Sequence, residues 1–205
     1  MTPLFTVVTP CSPKRYETTL NRAISSVLSQ TLGDWEHLLI VNHGEALSFM
    51  AAGSGRERWI EAPPNPGWKD VGAWNFRFGA EQAHGDYVAW LGDDDEYHPD
   101  HLETHLEALE SGADFSLTQT AFYLQGKYQM TVGDDSYQLA HLDSNGVACR
   151  RELLQVGNWR DTGKWDADWD LVDQWRRAGK RGVFIPLVTG NHHDGWMARN
   201  AGLPD

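Results

Sequence analysis

An apolar run, Tyr87–Leu91, is followed after a single glycine by three consecutive carboxylates, Asp93, Asp94 and Asp95. A run this short and this hydrophobic reads as a buried strand. Carboxylates crowded at the end of a buried strand are costly unless positive charge meets them. Hard divalent cations such as Mg2+ and Mn2+ take oxygen ligands and often bridge protein carboxylates to substrate phosphates. In α/β sheets, ligands bind at the carboxyl ends of the strands. The pattern therefore points to a metal–diphosphate site on an α/β sheet. The plainer reading is a solvated acidic turn at the head of the helix beyond Pro99, where acid suits the helix dipole.

The rest of the chain alternates strand and helix patterns. Strands are expected at Phe5–Thr9, His37–Val41, Trp59–Ala62, Tyr87–Leu91, Phe115–Thr120, Ala121–Val132 and Gly182–Val188, with a turn near Gln125-Gly126. Apolar residues at helical spacing predict helices over Tyr16–Thr31, Val71–His84, Asp100–Ser111 and Asp168–Ala178, with shorter ones at Ala46–Ala52 and Arg151–Val156. Alternation of this kind builds a mostly parallel sheet covered by helices on both faces. No repeat, low-complexity stretch or linker interrupts the 205 residues, so a single domain is expected.

Composition narrows the function. A net charge of −12 argues against passive binding to nucleic acid or to an anionic membrane. Cys11 and Cys149 have no metal-type spacing and make no disulfide framework, which fits a reducing compartment. The N-terminus enters a strand pattern without a signal peptide, and no run approaches a membrane span, so a cytoplasmic protein is expected. Ten tryptophans are many, and indole rings serve both as core filling and as platforms for sugars.

Several segments, in order, resemble those of family 2 glycosyltransferases with the GT-A fold. Phe5-Thr-Val-Val-Thr-Pro10, with Arg15 and Leu20–Gln30, is similar to the family's first strand and helix. Asp34–Val41 is similar to its second strand. Asn65-Pro-Gly67, Gly72-Ala-Trp-Asn75 and Ala83–Leu91 resemble the segment leading to the metal motif, and Leu91-Gly-Asp-Asp-Asp95 with Pro99 stands in the place of the DxD motif. Arg150-Arg-Glu152, Gly157 and Ala167-Asp-Trp-Asp-Leu171 resemble the region of the catalytic base. The resemblance runs from about residue 4 to 195.

The resemblance implies a single GT-A domain, with the nucleotide-sugar part in about residues 1–99 and the acceptor and base part in about 100–205. It implies inverting, metal-dependent transfer of a sugar from a nucleotide-diphosphate donor, a UDP-sugar by default, to the hydroxyl of a saccharide or other acceptor. Mn2+ or Mg2+ would be the cofactor. Asp94 aligns with the direct metal ligand, with Asp95 and His193 as further ligands and His192 as the alternative to His193. Thr9, Pro10, Asn42, Asn75 and Asp93 would contact the donor, and Asp168 would be the base, with Asp166 and Asp170 as alternates. Trp159, Trp165, Trp169 and Trp196 lie toward the acceptor side, and Arg199 and Asn200 lie in a tail that would fold over the donor.

The chain departs from the family pattern at Gly92, where an acid usually stands, at Asn42, and at Trp74, where an arginine commonly precedes the asparagine. Besides a glycosyltransferase acting on modified nucleic acid, which the net charge of −12 disfavours, two other readings remain open. One is a sugar-nucleotide-binding module without turnover. The other is a sugar nucleotidyltransferase, although Thr9-Pro-Cys-Ser-Pro-Lys-Arg15 lacks the glycines of its usual phosphate loop.

Overall fold

A computed structural model describes residues 2–12, 19–44, 56–138, 141–164 and 166–193. The helix expected at Ala46–Ala52, residues 16–18 of the first expected helix, Trp165, Trp196, Arg199 and Asn200 lie outside them.

Among the described residues, nine strands join one sheet in the order β3-β2-β1-β4-β8-β6-β9-β5, with β7 on β6. The first half is parallel. β1 (Phe5–Cys11) runs beside β2 (Trp35–Val41) with Phe5 opposite Trp35, and β4 (Tyr87–Trp90) lies on its other side with Phe5 opposite Tyr87. β3 (Glu57–Glu61) extends this half. All seven residues of β2 and all four of β4 are buried, as strands covered on both faces must be.

Beyond β4 the sheet becomes mixed. β8 (Val147–Arg150) is antiparallel to both β4 and β6 (Phe115–Leu124), and β9 (Gly182–His193) is parallel to β6. The pair Glu96–Tyr97 forms β5, antiparallel to β9. Two strands were therefore not foreseen, β5 and β8, and β9 continues five residues past the expected end through polar Thr189–His193. The expected break between Thr120 and Ala121 is absent. The turn expected near Gln125-Gly126 is present, and the φ values of 50° and 71° at these residues give the two-residue hairpin that matches strand twist, leading into β7 (Lys127–Val132).

Helices cover both faces. α1 (Asn21–Leu28) and α3 (His101–Glu110) bury Ala23, Ile24, Val27, Leu102 and Leu109 with Phe5, Val7 and Leu39. On the other face, α2 (Val71–Glu81) and α4 (Ala167–Arg177) bury Phe76, Ala80, Leu171 and Trp175 with Val8, Trp90 and Phe115. Asp70 caps α2 by accepting from the Ala73 N–H at 3.0 Å. α2 lies so close to the sheet that a Cβ on Gly79 would stand 2.3 Å from the Val8 side chain. The expected helix at Arg151–Val156 is a short 3-10 turn, Arg151–Gln155.

Candidate active site

Both flanks of the acid turn are fixed by hydrogen bonds. β4 ends inside the core, and residues Gly92–Asp95 turn back, closed by Asp95 N–H donating to the Gly92 carbonyl at 3.2 Å. The Ser12 N–H at the end of β1 donates to the Asp93 carboxylate at 2.7 Å, and the Arg22 guanidinium of α1 donates to the Asp94 carbonyl oxygen. Asp93 and Asp95 are buried, at 4% and 2% exposed, and Asp94 is the most exposed of the three carboxylates.

Asp95 is held on both oxygens. Asn145 donates its side-chain amide to Oδ2 at 2.8 Å, and the His193 N–H donates to Oδ1 at 2.9 Å. The carbonyl oxygen of the same Asn145 amide accepts the Gly92 N–H at 2.9 Å. Burial, reinforced by the Asp143 charge, pushes the Asp95 carboxyl above the usual carboxylate range, against the pull of His192 and these two donors. A Cβ on Gly92 would stand 2.3 Å from Asp95 Oδ2. The space an acid at position 92 would need is thus already filled by Asp95.

Asp143 links this turn to the end of β9, and its charge is felt at Asp168. It precedes the short turn Ser144–Gly146 and accepts from the Asn145 N–H at 2.9 Å. Its other carboxylate oxygen accepts from His192 Nδ1 at 3.0 Å, and the His192 ring lies flat on Phe122, centroids 4.3 Å apart. His192 Nε2 is buried and has no partner among the described residues. Burial alone would lower the His192 pKa, but the Asp95 and Asp143 charges outweigh it and push it up to about 10. Asp168 lies in the first turn of α4, where the Trp169 N–H donates to its carboxylate at 2.7 Å. Burial, then the charge of Asp143, raises Asp168 to about 7.

The alternates for the base differ in their surroundings. Asp170 is taken by Arg160, which reaches both its oxygens at 2.6 and 2.7 Å, and by Gln174 at 2.9 Å. Asp166 keeps one buried oxygen without a partner.

On the donor side, Asn75 of α2 donates to the Asn42 side-chain oxygen at 2.8 Å, which joins two residues expected at the nucleotide. Asn75 is 2% exposed and its own Oδ1 has no partner among the described residues. The Thr9 hydroxyl turns into the sheet and shares a hydrogen bond with His37 Nε2 at 2.9 Å, while Pro10 stands at the less buried end of β1. Trp74 closes the loop before α2, donating its indole N–H to the Pro63 carbonyl and meeting Trp68 edge-on. Trp159 packs in the core on Phe76 and Trp90, and Trp169 donates to the Tyr137 carbonyl. His193 Nε2 faces Glu96 at 3.1 Å.

Among the described residues, no three His, Cys, Asp or Glu side chains converge as a preformed metal site. The carboxylates of the turn are nevertheless the oxygen donors that Mg2+ and Mn2+ prefer, and such ions commonly complete their shells with water and substrate phosphate. Asp143 and Asn145, which organise the site, escaped the sequence reading. Their only local signal is a polar turn, Asp143-Ser-Asn-Gly146, directly ahead of the apolar Val147-Ala-Cys149.

Comparison with known proteins agrees with this geometry. Residues 65–158, which include the acid turn, Asp143 and Asn145, match the model of Glycosyl transferase family 2. No curated protein matches the chain by sequence. Among solved structures, S. aureus TarS 1-349 in complex with UDP-GlcNAc is similar with a TM-score of 0.71, 14% identity, and coverage of 92% of this chain and 58% of that one. The same protein in complex with UDP gives 0.69 and 14%, covering 92% and 60%, and S. aureus TarS in a longer form gives 0.69 and 13%, covering 92% and 36%. The chain thus spans less than two thirds of each of these structures. The family model matches the centre of the sequence, and the likeness to the TarS structures over nearly all of it shows that the chain has a GT-A fold.

Proposed function

We propose that the protein is an inverting, divalent-metal-dependent glycosyltransferase that moves a sugar from a UDP-sugar to an acceptor hydroxyl. The observation that carries this reading is that Asp143, bonded to His192 and to the backbone of the Asn145 that holds Asp95, lies close enough for its charge, after burial, to help raise the Asp168 pKa to about 7. A carboxylate tuned to that range accepts a proton effectively near neutral pH. The UDP and UDP-GlcNAc bound by the similar TarS structures support uridine as the base.

In this reading Asn42 and Asn75 hold the nucleobase end, where the unpartnered Asn75 Oδ1 accepts a base N–H. Asp94 would hold Mn2+ or Mg2+, with Asp95 and His193 bracing the turn behind it. A cation there neutralises charge on the leaving diphosphate. Asp168 takes the proton of the acceptor hydroxyl. That oxygen attacks the anomeric carbon as the bond from this carbon to the diphosphate breaks, and the diphosphate leaves with the electron pair. Displacement from the opposite side inverts the anomeric centre. Cys11 and Cys149 are buried free thiols, which supports a reducing compartment, the cytoplasm.

The test is calorimetric titration with UDP, GDP and TDP, first with Mn2+ and then with excess chelator. UDP is expected to bind only with the metal. No binding of any diphosphate to the folded protein overturns the reading. Tight UDP binding without consumption of UDP-sugars in the presence of saccharide acceptors makes the chain a binding module instead.

A further inference from the structure

Strand alternation sets consecutive rings of the β6–β9 pair on opposite faces. Phe122 and His192 stack on the face that meets Asp143. Tyr123 and His193 stack on the other, centroids 5.4 Å apart, and His193 Nε2 meets the Glu96 carboxylate there. The hairpin extends this second strip outward. Tyr128 of β7 pairs directly with Tyr123, ring centroids 6.0 Å apart, and is 57% exposed. Its hydroxyl hydrogen-bonds with the Thr131 hydroxyl at 3.0 Å.

A tyrosine exposed to this degree on a hairpin, backed by a second tyrosine and an imidazole and ending on a carboxylate, is not explained by packing. Tyr128 meets Tyr123 edge-on, at 73°, which leaves the exposed Tyr128 ring face for the C–H face of a pyranose, and the Glu96 carboxylate, whose Oε1 already meets Asn191 and His193, can accept a sugar hydroxyl on its other oxygen. The strip is longer than one monosaccharide ring. It also begins at the active site, since the backbone N–H of His193 holds Asp95. With Glu96 in the strip and a net charge of −12, it disfavours acidic glycans.

We infer that Tyr128, Tyr123, His193 and Glu96 form a binding site for a neutral oligosaccharide, distinct from the donor site. It holds the distal residues of a saccharide acceptor, a role that rests on the glycosyltransfer reading. The binding itself does not depend on donor or metal.

Saturation-transfer NMR and affinity electrophoresis of the whole chain with cellohexaose, maltohexaose and chitohexaose, in chelator, test it. At least one of these is expected to bind. Tyr128→Ala should weaken that binding roughly fivefold to tenfold, and Tyr128→Phe should keep it, because stacking does not need the hydroxyl. UDP binding with Mn2+ should be unchanged in both variants, which shows that the donor site and fold persist. If none of the three oligosaccharides binds, or if Tyr128→Ala binds as the parent does, the site is refuted. Binding only to a sulfated glycan refutes it too, as does a parent dimer that Tyr128→Ala turns into a monomer, which would make the strip a self-association surface. Failure of UDP binding alone would count against the glycosyltransfer reading and leave the oligosaccharide result to stand on its own.

Discussion

Asn145 donates to the Asp95 carboxylate at 2.8 Å and, with the oxygen of the same amide, accepts the Gly92 N–H at 2.9 Å. One buried side chain therefore clamps both ends of the acid turn. Asn145→Ala leaves a buried carboxylate and a backbone N–H short of partners, at about 1–3 kcal/mol. Urea denaturation should show this loss, and calorimetry should show weaker Mn2+-dependent UDP binding. An Asn145→Ala protein as stable as the parent would mean that the clamp is not needed.

Gly92→Ala drives a methyl group against Asp95, which the clamp prevents from moving aside. The expected cost is about 1–3 kcal/mol, typical of overpacking. Gly92→Asp, although it supplies the acid of the family pattern, should bind donor less well than the parent. Improved binding in that variant would show that the turn can be rebuilt around a second arrangement.

Asp94→Ala should leave stability within about 0.5 kcal/mol, as for other substitutions outside the core. Its UDP affinity in Mn2+ should fall to the value measured in chelator. Equal affinity with and without Asp94 would remove it as the metal ligand.

Asp168, the proposed base, also bears on stability. Its folded pKa of about 7 lies above the ordinary carboxylate value of 3.8, so the folded state is penalised once the carboxyl ionises. The penalty is absent below the unfolded value, grows as pH rises from there through about 7, and is complete above it. Asp168→Asn should therefore be more stable than the parent at pH 8, by on the order of a few kcal/mol, and equal to it near pH 4. Transfer should fall at least ~100-fold while UDP binding persists, and parental transfer should rise as pH increases through about 7. A parent rate that is flat across this range would separate Asp168 from the base.

The histidines behind β9 and β1 give the opposite slope. Burial holds His105 down at about 3 and His37 at about 4, and lowers His101 as well. The unfolded chain takes up these protons near pH 6.5, before the folded chain does, so each costs stability as pH falls from there toward its folded value. His105→Asn keeps a hydrogen-bonding group near the Ser116 hydroxyl, which His105 Nδ1 meets at 2.7 Å, and removes the titration. Its unfolding free energy should fall less steeply than the parent's between pH 6.5 and 4. Identical slopes would show that His105 is not the titrating group.

What the sequence disclosed follows the range of the interactions. β4 with its acid turn, α2, α3 and α4 were legible because apolar spacing is a local pattern. Asp168 and Asp94 came from the resemblance, whose segments also kept their order. Asp143 and Asn145 were not legible, because what makes them matter is contact with residues 49 and 50 positions away. The end of β9 was hidden for a related reason. Thr189, Asn191, His192 and His193 are polar because they serve the site and the His101 network, and polar residues do not read as a strand. Trp159 lies in the sequence among tryptophans on the acceptor side, but as indoles more often do it fills the core.

The two donors to Asp95 come from 50 and 98 residues further along the chain. Contacts of such sequence separation form late, since their loops must close first. During synthesis, β1 to β4 can pair while the acid turn at their end still lacks Asn145 and His193. The part of the molecule that would do the chemistry is thus the part that matures last, and a chain arrested before β9 would carry a finished parallel half-sheet with an unfinished site.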